Sequence, residues 1–421
     1  MPLLSLTIFT GFSSNLTGRG TLTASGYLFL PWRWPRLLNG EYPRQAEEKL
    51  RQYFNIKHAS VFDSGRSALY YGLKALDIKA GDEVLVQAYT CVVVINAIKF
   101  TGAKPVYVDI RQDFNLDLED LKNKISNKTK ILIIQHTFGL PARLNEILEM
   151  AKQHNLKIIE DCAHSLGARY QGKLTGTFGQ IGMLSFGSDK IISCVRGGAL
   201  ITNDEILGEK IKNFSQNLTK PNLLKTIQHL CHYPVFYLAK PIYHLSIGKF
   251  ILILAKKLNI LNKIIYQPEK AGERLNFYPS ELPNSLADIL CYQIDEINIL
   301  NNHRQEISKL YQEKISNPVI KLPWREQGID PAASACLRYP LLTKQPKKLM
   351  AYAKKQGIIL GDWYNMVIAP MDIDLAKTGY QAGECPQAES LAAQSINLPT
   401  NRHITKKRAL RVIKTINCFK Q

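Results

Sequence analysis

Two short segments place a lysine and a carboxylate where both could act on one ligand. Lys190 ends the segment LSFGSDK (184–190), and Asp161 ends the apolar segment IIED, three residues before His164. A lysine amine can form an imine with an aldehyde only when it is neutral, so its pKa must lie well below about 10.4. A carboxylate beside a pyridine nitrogen keeps that nitrogen protonated. The pair therefore favours a cofactor that carries an aldehyde on a pyridine ring.

A third segment, DSGRSAL (63–69), could bind a phosphate group. Gly65 lies in a turn that opens a predicted helix, where the first N–H groups are free and the helix dipole is positive. Arg66 could add a bidentate charge, and the hydroxyls of Ser67 and Ser185 could donate hydrogen bonds. The segment predicts an anion site at the beginning of this helix.

Each segment, taken alone, also has an ordinary explanation. Glycine turns cap many helices, an aspartate at a strand end often caps the next turn, and His164 could be a satisfied surface histidine. A lysine in a loop is by default solvated. The chemical interpretation therefore requires the segments to meet in one place.

The elements between these segments predict how they would meet. Helical and strand patterns alternate from about residue 57 to 205, and the strands are rich in isoleucine and valine, which is typical of a mostly parallel sheet covered on both faces. Strands are expected at 84–89, 105–110, 130–137, 157–162, 181–188 and 198–204, with helices at 67–76, 117–125 and 144–155. In such sheets the site lies at the carboxyl ends of the strands.

Residues 205–272 interrupt this alternation. The segment is both basic and apolar, most clearly at 232–261. It could form an amphipathic helical hairpin on a membrane surface. The preferred interpretation is a helical insertion packed on the body or on a partner subunit, because lysines interrupt every apolar run.

The two ends of the chain give weaker patterns. Residues 1–35 are expected to be a poorly ordered N-terminal extension, without a clear secretory signal or a spanning helix. A long amphipathic helix is expected at 285–315, inside a smaller domain that begins at about 273.

The charge balance and the cysteine pattern limit which classes of function are expected. There are 54 Lys and Arg against 35 Asp and Glu, a net charge of +19, which attracts anions. No zinc finger, basic zipper or RNA-binding signature is found, so nucleic acid is not an expected partner. Eight cysteines include no C-x-x-C pair, so no metal site is predicted and a reducing, cytoplasmic compartment fits.

Five blocks along the chain, in order and spacing, resemble the DegT/DnrJ/EryC1/StrS family of sugar aminotransferases. The resemblance runs from about 36 to 410. The blocks are LLNGEYPRQAEEKLRQYFNIKHASVFDSGRSAL, GDEVLVQAYTCVVVINAIKFTGAKPVYVDI, HTFGLPARL with EDCAHSLGA, SFGSDKIISCVRGGAL, and CPQAESLAAQSINLPTNRHIT.

The resemblance implies an α/β fold, the PLP-dependent transferase fold type I. A mostly parallel seven-stranded sheet would lie in a large PLP-binding domain (36–272), followed by a small α+β C-terminal domain (273–421). It implies pyridoxal 5'-phosphate (PLP) as cofactor, glutamate as amino donor and a nucleotide-linked keto-sugar as acceptor. The product would serve surface polysaccharide or amino-sugar biosynthesis, and a homodimer is expected.

The resemblance also assigns roles residue by residue. Lys190 would hold PLP as a Schiff base and move the proton, Asp161 would pair with the pyridinium, and His164 would lie near the phenolic oxygen. The remaining cofactor-binding residues would be Gly65, Arg66, Ser67, Tyr89, Cys91 and Ser185.

Several positions depart from the family pattern. Arg66 replaces the usual Thr, so phosphate binding would depend on its charge, and Cys91 stands where many members have a stacking aromatic, with Tyr89 as the nearest substitute. Val195-Arg196 replaces Gly-Glu. These changes keep open a non-catalytic or regulatory relative, docked on a membrane in a polysaccharide cluster. A sugar dehydratase is disfavoured, because those relatives have histidine in place of the lysine.

Overall fold

The computed structural model describes residues 7–11 and 15–420. The strands are β1 (Ile8–Phe9), β2 (His58–Phe62), β3 (Glu83–Gln87), β4 (Thr90–Cys91), β5 (Lys104–Val108), β6 (Thr129–Gln135), β7 (Lys157–Asp161), β8 (Arg169–Tyr170), β9 (Lys173–Leu174), β10 (Ile181–Ser185), β11 (Gly198–Thr202), β12 (Tyr339–Leu342), β13 (Ile358–Ile359), β14 (Ile368–Ala369) and β15 (Ser395–Leu398).

Helices fill most of the remaining chain. The α-helices are α1 (Gly18–Phe29), α2 (Tyr42–Phe54), α3 (Gly65–Ala75), α4 (Val92–Lys99), α5 (Leu118–Lys124), α6 (Leu144–Gln153), α7 (Glu205–Gln216), α8 (Leu223–Ala239), α9 (Ile247–Lys257), α10 (Gln267–Lys270), α11 (Asn284–Ile294), α12 (Ile297–Lys314), α13 (Pro323–Glu326), α14 (Pro346–Lys355), α15 (Pro386–Gln394) and α16 (Lys406–Asn417).

A seven-stranded sheet forms the centre of the molecule, with strand order β2-β11-β10-β7-β6-β3-β5. Only β11 is antiparallel to its neighbours β10 and β2, and the other pairs in the sheet are parallel. The predicted mostly parallel α/β fold is confirmed.

Strand β6 shows why the sheet is buried on both faces. Ile131 and Ile133 pack into one core, with side chains of α3 and α4, while Leu132 and Ile134 pack into another with α6. Successive side chains of a strand point to opposite faces, so a run of apolar residues requires helices on both sides.

The C-terminal part packs directly against the sheet. Strands β12 and β15 pair with each other, while β14 pairs with β4 from the sheet half of the chain. One hydrophobic core contains residues from both parts, including Tyr89, Tyr364 and Ile396. This continuity places C-terminal side chains beside the sheet's carboxyl edge.

The helix expected at 285–315 is in fact two helices. The chain leaves α11 at Asp295 and begins α12 at Ile297. Both helices are buried on at least one side, so the apolar pattern continues through the break and does not reveal it. A polar side chain in α11, that of Gln293, accepts from the N–H of Ser193 and donates to its carbonyl.

The expectation of a poorly ordered N-terminal extension is wrong for the described residues. Ile8 and Phe9 pair in parallel with Ile358 and Ile359, and Asn401 donates its side-chain amide to the Phe9 carbonyl at 3.0 Å. Helix α1 packs against α8 and α11. Five apolar residues of the segment, Ile8, Phe9, Leu16, Ala24 and Tyr27, are buried, and their burial helps to offset the entropy of ordering it.

The segment 205–272 folds into helices α7 to α10. Helix α8 packs against α1, and the Tyr233 hydroxyl donates to the carbonyl of Ser193 at 3.0 Å. The segment is thus a helical insertion packed on the body of the protein, one of the two arrangements in the preferred interpretation. Among the described residues, no helix combines the length and apolarity needed to cross a bilayer.

Close approach of β11 to the start of α3 requires a glycine. A β-carbon at Gly198 would lie 2.5 Å from the backbone of Ser64 and from the nitrogen of Gly65. Such atoms belong to the backbone and cannot rotate away, so the sheet would have to move.

We therefore predict that Gly198→Ala lowers the free energy of unfolding by about 1–3 kcal/mol, the usual range for overpacking a tight site. Urea unfolding followed by circular dichroism measures it. The matched control is Gly18→Ala, because a β-carbon there meets nothing within 4 Å. Equal stability of both variants would contradict the close-packing argument.

Candidate active site

A cavity of about 940 Å³ opens at the carboxyl ends of the sheet strands. Walls come from the ends of β7 and β10, the beginning of α3, the segment 256–270 and the C-terminal segment 362–372. The predicted site residues that line it are Gly65, Arg66, Cys91, Asp161, His164, Ser185 and Lys190. The fold therefore brings together segments that lie more than a hundred residues apart.

Lys190 lies half-buried in this cavity. Burial lowers the pKa of its amine from about 10.5 to about 8, although the negative charge of Asp161 acts in the opposite direction. The amine lies 5.1 Å from the centre of the Trp363 ring. Behind it, the side chain of Asn15 donates to the Lys190 carbonyl. The lysine is thus fixed at its backbone and poised to lose its proton.

Asp161 faces the same cavity from the end of β7. One carboxylate oxygen accepts from the Gln135 amide at 3.2 Å, and the other accepts from the N–H of Ala163 at 3.0 Å. Burial raises the pKa of this carboxyl, and these hydrogen bonds and the charge of Lys190 partly oppose that rise. A cation placed beside it would favour the charged form.

The neighbouring Glu160 has a structural role outside the cavity. It points to the other face of β7, where it accepts from the N–H groups of Gly176, Phe178 and Gly179. His136 contacts it at 3.2 Å. Alternation along the strand therefore leaves Glu160 to hold a loop and directs only Asp161 into the cavity.

His164 is buried and neutral. Its Nδ1 lies 3.4 Å from the backbone nitrogen of Phe138, which donates to it, and its Nε2 lies 3.3 Å from the Tyr364 hydroxyl. The ring stacks on Trp363 at a centroid distance of 5.5 Å. Burial holds its pKa well below the usual value, so the imidazole adds hydrogen bonding and no charge.

The beginning of α3 forms one corner of the cavity. Ser64 caps the helix by accepting from the N–H of Ser67, and the two hydroxyls lie 2.9 Å apart. Ser67 therefore completes the cap and does not line the cavity. Gly65 packs so closely on Ser185 that a β-carbon would lie 2.9 Å from the serine oxygen. Gly65 and Ser185 share this corner.

The expected role of Arg66 is changed by its partners. Its guanidinium forms an ion pair with buried Glu269 and donates to the carbonyl of Ile264 at 2.8 Å. Tyr278 donates to the same carboxylate. The charge of Arg66 is thus already compensated, so it cannot be the free cation that the sequence suggested.

Arg196 is a cavity residue that the sequence marked only as a departure. Its side chain is 5% exposed, its Nε lies 3.9 Å from the Asp63 carboxylate, and its guanidinium covers the Tyr278 ring at 4.6 Å. One terminal nitrogen has no hydrogen-bond partner among the residues that the structure describes. Because it precedes Gly198, which touches the beginning of α3, Arg196 is well placed for an anion there.

Tyr89 does not line the cavity, contrary to the expectation that it could replace a stacking aromatic. It is 1% exposed, its hydroxyl lies 2.8 Å from the Ser395 hydroxyl, and it accepts from the N–H of Tyr364. Its backbone adopts a φ of +68°, and its side chain lies in the core. Cys91 keeps its place in the cavity lining.

Two further aromatic residues come from the C-terminal part. Trp363 and Tyr364 line the cavity beside His164, and the guanidinium of Arg338 lies 3.7 Å from the centre of the Trp363 ring. The adjacent aromatic pair in GDWYN was the only available signal, and a sequence gives no reason to connect it with Lys190.

The sequence model of the DegT/DnrJ/EryC1/StrS aminotransferase family matches residues 33–230 and 261–417. The chain belongs to this family. Residues 231–260, which include most of α8 and all of α9, lie outside the match.

Relatives and solved structures agree with this membership. GDP-perosamine synthase of Escherichia coli O157:H7 is 39% identical over 176 residues, 42% of this chain and 48% of that protein. The transaminase of Aneurinibacillus thermoaerophilus named for dTDP-3-amino-3,6-dideoxy-alpha-D-galactopyranose is 27% identical and covers 91% of both chains. The structure of S. venezuelae DesV in complex with a ketimine intermediate matches with a TM-score of 0.72 and 25% identity, over 95% of this chain and 93% of that one.

The match to the E. coli protein spans about half of its length, whereas the other two matches extend over nearly the whole chain. The family membership accounts for the fold and for the position of the cavity. It does not account for residues 231–260, which lie outside the family match.

The lowered pKa of Lys190 leads to a labelling prediction. Because the amine is neutral above a pH of about 8, its rate of reductive methylation should rise about tenfold per pH unit below 8 and then level off. The methylation rate of a lysine in an unstructured reference peptide, whose pKa is about 10.4, should continue to rise beyond pH 9 when measured alongside by mass spectrometry. A Lys190 rate that also rises up to pH 10 would contradict the lowered pKa.

Proposed function

We propose that the protein is a PLP-dependent aminotransferase that moves an amino group from glutamate to a nucleotide-linked keto-sugar. The observation that carries the proposal is the shared cavity, in which Lys190, with its lowered pKa, meets the carboxylate of Asp161 and the beginning of α3.

The cavity fits PLP on three independent counts. The cofactor needs an amine for its aldehyde, a carboxylate for its ring nitrogen and a cradle for its phosphate. Lys190 and Asp161 supply the first two. The third is the corner between Gly65 and Ser185, beside the first N–H groups of a capped helix and Arg196, which pairs loosely with Asp63 and has one terminal nitrogen without a hydrogen-bond partner among the described residues.

When bound, PLP supplies an electron-withdrawing ring that stabilises negative charge on the carbon of the amino donor. Asp161 would remain ionised beside the ring nitrogen, because a cation there opposes the effect of burial. Lys190 would first bond the cofactor and, once released, carry a proton within the cavity. His164 stays neutral and would lie near the cofactor's phenolic oxygen, with its two nitrogens hydrogen-bonded to the Phe138 N–H and the Tyr364 hydroxyl.

The substrate class rests on relatives and on the cavity wall. Two of the relatives described above are named for GDP- and dTDP-linked compounds. The cavity here is lined by Lys256 and Lys263 in addition to Arg196, while a third lysine in its wall, Lys270, is paired with Asp372. A cationic wall suits the diphosphate of such a nucleotide. Glutamate as donor, the homodimer and the cytoplasmic compartment are proposed from the family resemblance.

A non-catalytic relative is the rival proposal. It would have no reason to retain an amine with a lowered pKa opposite a buried carboxylate, since both are costly to bury. The departure at Arg66 lies in an ion pair with Glu269, outside the pair of Lys190 and Asp161, so it does not disable that pair.

The first test is Lys190→Ala. The variant should lose the visible absorbance of the bound cofactor and roughly a thousandfold or more of the transaminase rate with glutamate and a nucleotide keto-sugar. Absorbance spectra with and without glutamate, followed by assays on a panel of keto-sugars, measure both. Lys249→Ala serves as the control with an unchanged spectrum, and full turnover by Lys190→Ala would refute the proposal.

The second test concerns the phosphate. Arg196→Gln should weaken binding of the cofactor about 10- to 100-fold, because a charge-assisted hydrogen bond contributes about 1.5–3 kcal/mol. Spectroscopic titration of the apo protein with PLP gives the dissociation constant. Arg66→Gln is the comparison, and it should chiefly lower stability, since it leaves Glu269 buried without its partner. A larger loss of PLP affinity in Arg66→Gln would reverse the assignment.

A further inference from the structure

Helix α9 carries an exposed apolar stripe that nothing in the described chain covers. Ile247, Phe250, Leu254 and Leu258 follow the spacing i, i+3, i+7 and i+11, so they share one face. Their side chains are between 44% and 65% exposed. On another side of the helix, Leu252 and Ala255 are buried in the core. The helix is therefore apolar on two sides, and only one of them is used in folding.

The surroundings of this stripe are cationic. Between Glu209 and Glu269 the sequence contains no acidic residue and nine lysines, which are Lys210, Lys212, Lys220, Lys225, Lys240, Lys249, Lys256, Lys257 and Lys263. Three of them, Lys249, Lys256 and Lys257, lie on α9 itself, and none of these three forms an ion pair within the described part of the chain. Unpaired lysines beside an apolar stripe complement a target that has anionic groups at its surface and apolar material beneath them.

The neighbouring helix continues the exposed apolar surface. At the end of α8, Tyr237 and Leu238 are 49% and 65% exposed, whereas Phe236 beside them is buried and lines the active-site cavity. Lys256 and Leu261 also line that cavity. The α8–α9 pair thus has one side in the active site and another in solvent.

A second acid-free segment lies next to α8. Residues 1–40 contain three arginines and no aspartate or glutamate. Within it, Trp32 and Trp34 are 73% and 56% exposed, directly after α1, which packs against α8. Exposed tryptophans near arginines are typical of segments that lie at the headgroup level of a bilayer.

We propose that the α9 stripe, with its lysines, docks this protein on the surface of an anionic lipid bilayer. Helix α9 would lie in the interface plane, with Phe250 and Leu254 among the acyl chains and with Lys249 and Lys257 at the headgroups. Docking would set the wall of the active-site cavity close to the membrane. The proposal is independent of the catalytic assignment, because none of the stripe residues touches the cavity.

The lysines beside the stripe argue against a second copy of this chain as the partner that covers it. In a symmetric dimer the same patch faces itself, so lysines of one copy would meet lysines of the other without acidic partners. Like charges brought together in this way oppose association. Binding to an anionic lipid surface is instead strengthened by each of these lysines. The family match also omits 231–260, so the stripe lies outside the matched residues.

Co-sedimentation of the full chain with lipid vesicles tests the proposal. We expect binding to phosphatidylcholine vesicles that contain about 30% phosphatidylglycerol, with much weaker binding to phosphatidylcholine alone and a decline as salt rises. Phe250→Glu should reduce binding at least about tenfold. The matched control is Ile299→Glu, an exposed isoleucine on α12, which should bind as the unchanged protein does.

Charge variants give a second measurement that cannot be mistaken for unfolding. Lys249→Gln and Lys257→Gln should each weaken binding to anionic vesicles about fivefold. Cofactor absorbance, checked for every variant, verifies that the cavity remains intact.

Three results would overturn the proposal. They are equal binding to neutral and anionic vesicles, no binding to either, and a Phe250→Glu variant that binds normally. The remaining alternative is that a second copy of the chain covers the stripe, and light scattering tests it. If the protein is a dimer and only the Phe250→Glu variant is monomeric, the stripe is a dimer interface instead.

Discussion

The arrangement depends on one electrostatic constraint, which is a lysine amine and a carboxylate held in the same partly buried cavity. Burial favours the neutral form of each group, and their mutual attraction favours the charged forms. For Lys190 burial prevails, and the pKa falls to about 8. A rigid surrounding is needed to keep this balance, because a small movement into water would restore the ordinary pKa. The contacts around Lys190 supply that rigidity.

Those contacts come from parts of the chain that are distant in sequence. Asn15 holds the Lys190 carbonyl, Gln293 and Tyr233 hold Ser193 in the following loop, and Trp363 covers the amine. The N-terminal segment and the insertion are therefore structural supports of the site. The insertion has a further side that faces solvent, which connects the position of the cavity with a lipid-binding surface.

Much of the fold could be predicted because its signals are local. Isoleucine-rich strands alternating with helices indicated a mostly parallel sheet, and the sheet's carboxyl edge indicated where a site would lie. The break between α11 and α12 was missed, because both helices bury apolar residues and the periodicity continues through the turn. The N-terminal strand was missed because a strand of two residues is too short to show an alternating pattern of apolar and polar residues. Its partner at 358–359 also lies at the other end of the chain.

The sequence alone pointed to Lys190, Asp161 and His164 as the candidate reactive groups, since they stand in segments whose order and spacing resemble one family. It could not determine which charges remain free. Arg66 was the predicted phosphate cation, and only the tertiary structure showed that Glu269 already neutralises it. Arg196 instead lies 3.9 Å from Asp63 and has one terminal nitrogen without a hydrogen-bond partner among the described residues. Likewise, Tyr89 was turned into the core by its backbone. The physical reason is that residue type sets what a group can do, whereas its protonation and its partners depend on neighbours that folding brings from far along the chain.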